Sequence, residues 1–145
     1  MGKEIEHKYL VVSDSFKSLA KECHTISQGY LSKDPERIVR VRIKDDRGFL
    51  TVKGKTDNDS RAEYEYEIPV KEAEEMLPLC IGNFIQKRRW IVDFEGYTWE
   101  IDEFMSPKVP TVAEIELISS HHDYPLPEFI GEEVTGNPAY YNSNL

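Results

Sequence analysis

The sequence predicts a mainly β fold of the α+β class, an eight-stranded antiparallel closed barrel or tunnel with a charged interior, flanked by short helices. Three observations carry this. Polar and apolar residues alternate at a spacing of two through eight separate segments, the period of an extended chain. Turn signals separate the segments at short intervals: Asp45-Asp46-Arg47-Gly48, Phe94-Glu95-Gly96 and the polar loop Asp57-Asn58-Asp59-Ser60. Finally, the charges on one face of a strand come in same-sign pairs, which a solvated sheet has no reason to require.

Strands are predicted over 3–11, 25–32, 37–45, 48–54, 61–69, 84–94, 97–104 and 111–118. One short helix is expected over 14–21 with Ser13 as its N-cap. A second is expected over 70–79, where Val70, Ala73, Met76 and Leu77 fall at helical spacing and Pro78 tightens the end. The stretch His121-His122-Asp123-Tyr124-Pro125-Leu126-Pro127 reads as an irregular connector with solvated histidines. A terminal helix is expected over 138–144, starting at Pro138. Nothing in the chain looks like a repeat, a low-complexity tract or a linker, so 1–145 reads as a single domain.

Composition excludes several functions. A net charge of −9 over 145 residues argues against nucleic-acid binding, which wants a basic stripe. It leaves room for a basic pocket inside an acidic shell. No stretch approaches about 18 consecutive apolar residues, and the N-terminus lacks a basic-then-apolar signal pattern. The expectation is therefore no membrane and a cytoplasmic location. Cys23 and Cys80 lack ligand-like spacing and read as reduced, inert thiols. The four histidines share no local spacing and give no zinc signature.

The two-residue rule sorts the charges. Glu4, Glu6 and Lys8 share one face of the first strand, opposite Ile5, His7 and Tyr9. Arg40, Arg42 and Lys44 oppose Val39, Val41 and Ile43. Lys53 stands on the next strand, and Arg61, Glu63, Glu65 and Glu67 align on the one after it. Lys87 aligns with Arg89, Glu100 with Asp102, and Glu114 with Glu116. Like charges two residues apart repel unless an opposite charge faces them. A β-sandwich with charged solvent faces is the simplest alternative, but such faces ordinarily mix signs and include Ser, Thr, Asn and Gln. Segregation by sign suits a polyanion site: basic side chains hold phosphate oxygens, and carboxylates hold hard divalent cations shared with those phosphates. Carboxylates outnumber cations in such a lumen, so it suits an anion only when metal is present.

Taken in order, these residues resemble the CYTH superfamily, the triphosphate tunnel metalloenzymes, and most of all its small single-domain bacterial branch. The resemblance runs nearly end to end. It covers Glu4-x-Glu6-x-Lys8, Gln28-Gly29-Tyr30-Leu31, Arg40-Val41-Arg42, Leu50-Thr51-Val52-Lys53 and Arg61-x-Glu63-Tyr64-Glu65. It continues through Lys87-x-Arg89, Trp99-Glu100-Ile101-Asp102, Glu114-Ile115-Glu116, Gly131-Glu132-Glu133-Val134-Thr135 and Tyr140-x-Asn142. It implies an eight-stranded tunnel that processes a triphosphate-containing small molecule with Mg²⁺ or Mn²⁺. Lys8, Arg40, Arg42, Lys53, Lys87 and Arg89 would bind the triphosphate. The metal ligands would come from Glu4, Glu6, Glu100, Asp102, Glu114 and Glu116, with Glu6, Glu114 and Glu116 favoured. Tyr30, paired with Lys8, would be the catalytic proton acceptor. Where the family often has a Gly-rich segment before the last acidic strand, this chain has Ser106-Pro107-Lys108-Val109-Pro110.

The activity this implies is hydrolysis of an inorganic triphosphate, tripolyphosphate, to pyrophosphate and phosphate. Its rivals are nucleoside triphosphatase, adenylate cyclase or thiamine triphosphatase activity in the same tunnel, and a non-catalytic polyphosphate or nucleotide sensor. Trp90, Trp99 and Tyr97 could stack on a base but read as outward barrel packing. Outward apolar strand faces left uncovered by helices would favour a homodimer.

Overall fold

The computed structural model describes residues 2–119 and 123–145. The expectation for His121 and His122 therefore lies outside the described residues. Nine strands form one antiparallel sheet: β1 Gly2–Val11, β2 Glu22–Ser32, β3 Arg37–Lys44, β4 Arg47–Gly54, β5 Ser60–Ile68, β6 Ile85–Phe94, β7 Tyr97–Ser106, β8 Val112–Glu116 and β9 Ile130–Glu133. Their order is β5-β4-β3-β2-β6-β7-β8-β1-β9, with β1 also paired to β5. That last pairing, from Gly2↔Glu63 to Ile5↔Ser60, joins the ends of the first eight strands and closes the barrel. Closure leaves those eight without a free edge, and it sets β1 across the lumen from β2.

β9 is an addition to the eight strands expected. It meets β1 at Tyr9↔Glu133 and Val11↔Ile130, past the point where β5 has left that edge. Four residues are too few to show an alternation. β2 begins three residues earlier than expected, at Glu22, and β8 is shorter, ending at Glu116. The first helix shrinks to α1, Phe16–Leu19, with Ser15 at the N-cap; Ser13 instead accepts from the Ser15 backbone N–H. The second is α2, Val70–Met76, followed by a 3₁₀ turn at Leu77–Leu79. The terminal helix resolves into two 3₁₀ turns, Pro138–Tyr140 and Asn142–Asn144.

Burial inverts the ordinary rule. Along β6, Lys87 and Arg89 are buried whereas Gln86 and Arg88 are exposed. Glu4, Lys8, Arg40, Arg42 and Asp102 are buried as well. Charged residues are rarely this buried unless paired, so the inward face is a polar interior. Two apolar cores lie outside the barrel. Phe16 from α1 and Phe129 from the connector close over Tyr9, Val92, Trp99, Ile101, Ala113 and Ile115. Burying Phe16 contributes roughly 1.5–3 kcal/mol. Ala73 and Leu77 cover Val41, and a Cβ on Gly48 would meet that of Ala73 at 2.9 Å, so only glycine lets α2 lie this close to β4. Part of the outer β4–β5 face stays exposed at Val52, Tyr64 and Tyr66.

One end of the interior is apolar too. Each inward series runs from charge to hydrophobe: Glu6-Lys8-Leu10 on β1, Arg42-Arg40-Ile38 on β3, Arg89-Lys87-Ile85 on β6, Asp102-Phe104 on β7 and Glu114-Val112 on β8. These hydrophobes form a layer with Tyr30, against which Tyr140 and Leu145 of the tail pack. The charged layer thus rests on a floor.

Candidate active site

The charged layer surrounds a cavity of about 530 Å³. Its wall contains Glu4, Glu6, Lys8, Tyr30, Arg40, Arg42, Lys53, Lys87, Arg89, Glu100, Glu114 and Glu116, which brings together twelve of the residues singled out in the sequence. Strand order explains the segregation by sign. β3, β2 and β6 are neighbours and carry the Arg40/Arg42 and Lys87/Arg89 pairs; β7, β8 and β1 are neighbours and carry the carboxylates.

The basic arc is held with little neutralisation at its centre. Arg40 Nη2 contacts Thr51 Oγ1 at 3.2 Å and Glu65 at 3.4 Å, while its buried Nε has no partner. Arg42 donates from Nε and Nη2 to the neutral Gln28 Oε1, at 3.0 and 2.7 Å. Burial, with Arg40 and Arg89 adding to it, pushes Arg42 down to about 9. Lys53 is shared between Glu4 at 3.2 Å and Glu63 at 3.5 Å. A buried N–H without a partner costs about 1–3 kcal/mol. Arg40 and Arg42 are therefore poised for an anion rich in acceptor oxygens.

The acidic arc is short of cations. Burial lifts the Glu6 carboxyl well above the usual range, and Glu114 and Glu4 add to the shift. Glu4 is raised by burial, in part offset by Lys53. Glu116 is raised by burial and then by Glu63, Glu100 and Glu114. Burial also pushes Glu114 upward, but Lys8 and a hydrogen bond from Glu6 win and hold it well below the usual range. Lys8 Nζ lies 3.4 Å from Glu114 and donates to the Tyr140 carbonyl at 3.0 Å. It is held by these rather than by Tyr30, whose hydroxyl accepts from Gln28 Nε2 at 3.0 Å.

Asp102 stands apart. It is buried behind the wall, accepting Lys87 Nζ at 2.7 Å and Arg89 Nε and Nη2 at 2.8 and 3.0 Å. Burial would raise this carboxyl, but the two cations outweigh it and hold it far below the usual range. The cations fare differently. Arg89 also faces Glu100 at 3.4 Å and stays well above its ordinary value despite burial. Lys87 has Asp102 alone against burial, Arg89 and Arg42, and falls to about 7.

A model of the CYTH domain family matches residues 2–142. The chain belongs to the CYTH domain family. An inorganic triphosphatase of Acetivibrio thermocellus is 52% identical, over 100% of this chain and 94% of that protein. An inorganic triphosphatase of Nitrosomonas europaea is 31% identical, over 98% of this chain and 95% of that protein. The crystal structure of the inorganic triphosphatase NE1496 matches with a TM-score of 0.66 and 29% identity, over 97% of this chain and 92% of that one. Triphosphate tunnel enzymes of this CYTH family are metal-dependent.

The acidic arc fits a hard divalent cation, because it offers only carboxylate oxygens, and burial and neighbouring carboxylates raise Glu4, Glu6 and Glu116 together. Among the described residues, no three His, Cys, Asp or Glu side chains converge as a complete ligand set.

The depressed Lys87 makes a pH prediction. A polyanion beside the ammonium offsets its desolvation and raises its proton affinity, so binding takes up a proton. Without metal, tripolyphosphate affinity should strengthen as the pH is lowered towards about 7 and level off below it. Calorimetry in two buffers of different ionisation enthalpy measures the uptake directly.

Several wall residues were not singled out as site residues. Arg61 lines the mouth while donating to the Gly54 carbonyl at 3.1 and 3.0 Å, and Thr56, Asn58, Asp59 and Ser60 accompany it. For Arg61 the signal was present, since it shares a face with Glu63. Tyr141, Asn142 and Ser143 of the tail also reach the wall; Asn142 Oδ1 accepts from Lys87 at 2.8 Å. Of these, only Asn142 was marked, by its place in the family resemblance. His7 points outward as expected, to Tyr124 at 2.6 Å and Asp59 at 2.9 Å. Trp90 and Trp99 belong to the outer core, whereas Tyr97 reaches both that core and the cavity.

Proposed function

We propose that this chain is a metal-dependent inorganic triphosphatase that hydrolyses tripolyphosphate to pyrophosphate and phosphate. The observation that carries the reading is the Arg40/Arg42 pair, buried in the wall with unspent donors, opposite an arc of carboxylates short of cations. The inorganic triphosphatases that align with nearly the whole chain support it. Phosphoryl transfer to water needs charge neutralisation and in-line positioning more than covalent chemistry. Arg40, Arg42, Lys53, Lys87 and Arg89 would hold the phosphate oxygens, with Lys8 and Tyr30 at the reacting phosphoryl group. Glu4, Glu6, Glu114, Glu116 and Glu100 would hold Mg²⁺ or Mn²⁺, which when bound neutralises phosphate charge and orients water. Asp102 would instead fix Lys87 and Arg89 in place. The same reading puts the enzyme in the cytoplasm with its two cysteines reduced.

The discriminating experiment compares turnover of tripolyphosphate, ATP, thiamine triphosphate and long-chain polyphosphate under one metal condition. Tripolyphosphate should give the highest kcat/KM. Equal or better turnover of a nucleotide would move the assignment to a nucleoside triphosphatase, and tight binding of all four without turnover would make the chain a sensor.

A further inference from the structure

Gln28 does more than complete a motif. It is fully buried, and the β2–β3 register sets it directly opposite Arg42, as it sets Tyr30 opposite Arg40. Its Oε1 accepts two hydrogen bonds from Arg42. A guanidinium has donors only, so the atom facing it must be the amide oxygen. The other end of the amide is fixed independently. Asn142 Oδ1 accepts from the Lys87 ammonium at 2.8 Å, and ammonium too has donors only. Asn142 therefore presents oxygen to Gln28, which must answer with Nε2, at 3.3 Å. The second Nε2 hydrogen goes to the Tyr30 hydroxyl at 3.0 Å.

Resting on the proposed phosphohydrolase activity, we infer that Gln28 is a positioning residue that makes Tyr30 a hydrogen-bond donor to the phosphoryl group. Two fixed cations orient the amide, and the amide orients the hydroxyl. The Tyr30 oxygen accepts from Gln28, so its own hydrogen turns into the cavity that Tyr30 lines. There it meets phosphate oxygen, where negative charge gathers as the phosphoryl group is transferred. Tyr30 thus acts by donation, in contrast to the proton acceptor that the family resemblance implies. Arg42, Gln28, Tyr30, Asn142 and Lys87 form one connected network, so phosphate binding and the aim of Tyr30 are set together.

Gln28→Glu tests this. The variant side chain has the same size and still accepts from Arg42, but it has no hydrogen to give Tyr30, whose hydroxyl then donates to it and away from the substrate. With tripolyphosphate and Mg²⁺, kcat should fall roughly 10²-fold, and KM should rise as well because the new carboxylate partly neutralises Arg42. Tyr30→Phe should fall comparably, and the double variant no further than Tyr30→Phe alone. Wild-type kcat in Gln28→Glu, or losses that multiply in the double variant, would overturn the role. Independently of whether Gln28→Glu folds, Tyr30→Phe should keep the shape of the wild-type pH–rate profile at lower height. Loss of one limb would make Tyr30 the base and refute donation. No turnover by the wild type would overturn the activity and this role together, whereas wild-type turnover with an unaffected Gln28→Glu overturns the role alone.

Discussion

Replacing Asp102 with alanine should destabilise the protein by about 3–5 kcal/mol, the cost of removing one partner from a buried ion network. Asp102 is 2% exposed, and its two partners, Lys87 and Arg89, are 1% and 8% exposed. Without the carboxylate, two positive charges remain close together in a wall that also holds Arg42. The pH dependence has a defined sign. A carboxylate whose folded proton affinity is depressed stabilises the fold above its unfolded value, ordinarily 3.8, and that contribution is lost as the pH falls through the lower folded value. The variant should therefore lose most stability at neutral pH, with the gap narrowing in acid. Chemical denaturation at neutral and acid pH measures both; a neutral-pH loss below about 1 kcal/mol would mean the pair is screened as a surface pair is.

Arg42→Ala should lower kcat/KM for tripolyphosphate roughly 10²–10³-fold, the scale of losing one preorganised charge from an electrostatic site. Its neighbours explain why this arginine should dominate. Lys53 and Arg89 each face two carboxylates, Arg40 faces one, and Lys87 faces Asp102, whereas Arg42 is held by a neutral amide. Its attraction for an anion is the least spent. Stability should move little, because relief of the repulsion with Arg40 and Arg89 is offset by leaving the buried Gln28 Oε1 without its donors. Arg42→Lys should recover only part of the activity, since an ammonium lacks the planar fork that holds Gln28 and phosphate together. Steady-state kinetics on the three proteins checks this; a loss in Arg42→Ala below about threefold would place the anion elsewhere in the wall.

The periodicity of two made much of this legible. It placed Glu4, Glu6 and Lys8 on one face and Lys87 and Arg89 on another, and a sheet has only two faces to choose between. Sign segregation then pointed inward, because like charges gather only around an opposite charge. Three features were harder to read. β9 at Ile130–Glu133 is too short for alternation, and its pairing depends on the edge of β1 that β5 vacates. The floor of Leu10, Ile38, Ile85, Phe104 and Val112 shares the inward parity of the charged residues, but only the strand registers bring those positions to one level. Asp102 illustrates the limit best. It shares a face with Glu100, yet Lys87 and Arg89 bind its carboxylate from the neighbouring strand and draw it behind the wall. Alternation assigns a face; it does not say which carboxylates on that face are already neutralised.

The central claim is that opposed arcs of cations and carboxylates make a metal-dependent triphosphatase. Its most direct test is the stoichiometry of products from tripolyphosphate incubated with the purified chain, with Mg²⁺ or Mn²⁺ and again with excess chelator. One pyrophosphate and one phosphate per tripolyphosphate, formed with metal and abolished by the chelator, is the expected result. No release with either metal would contradict it.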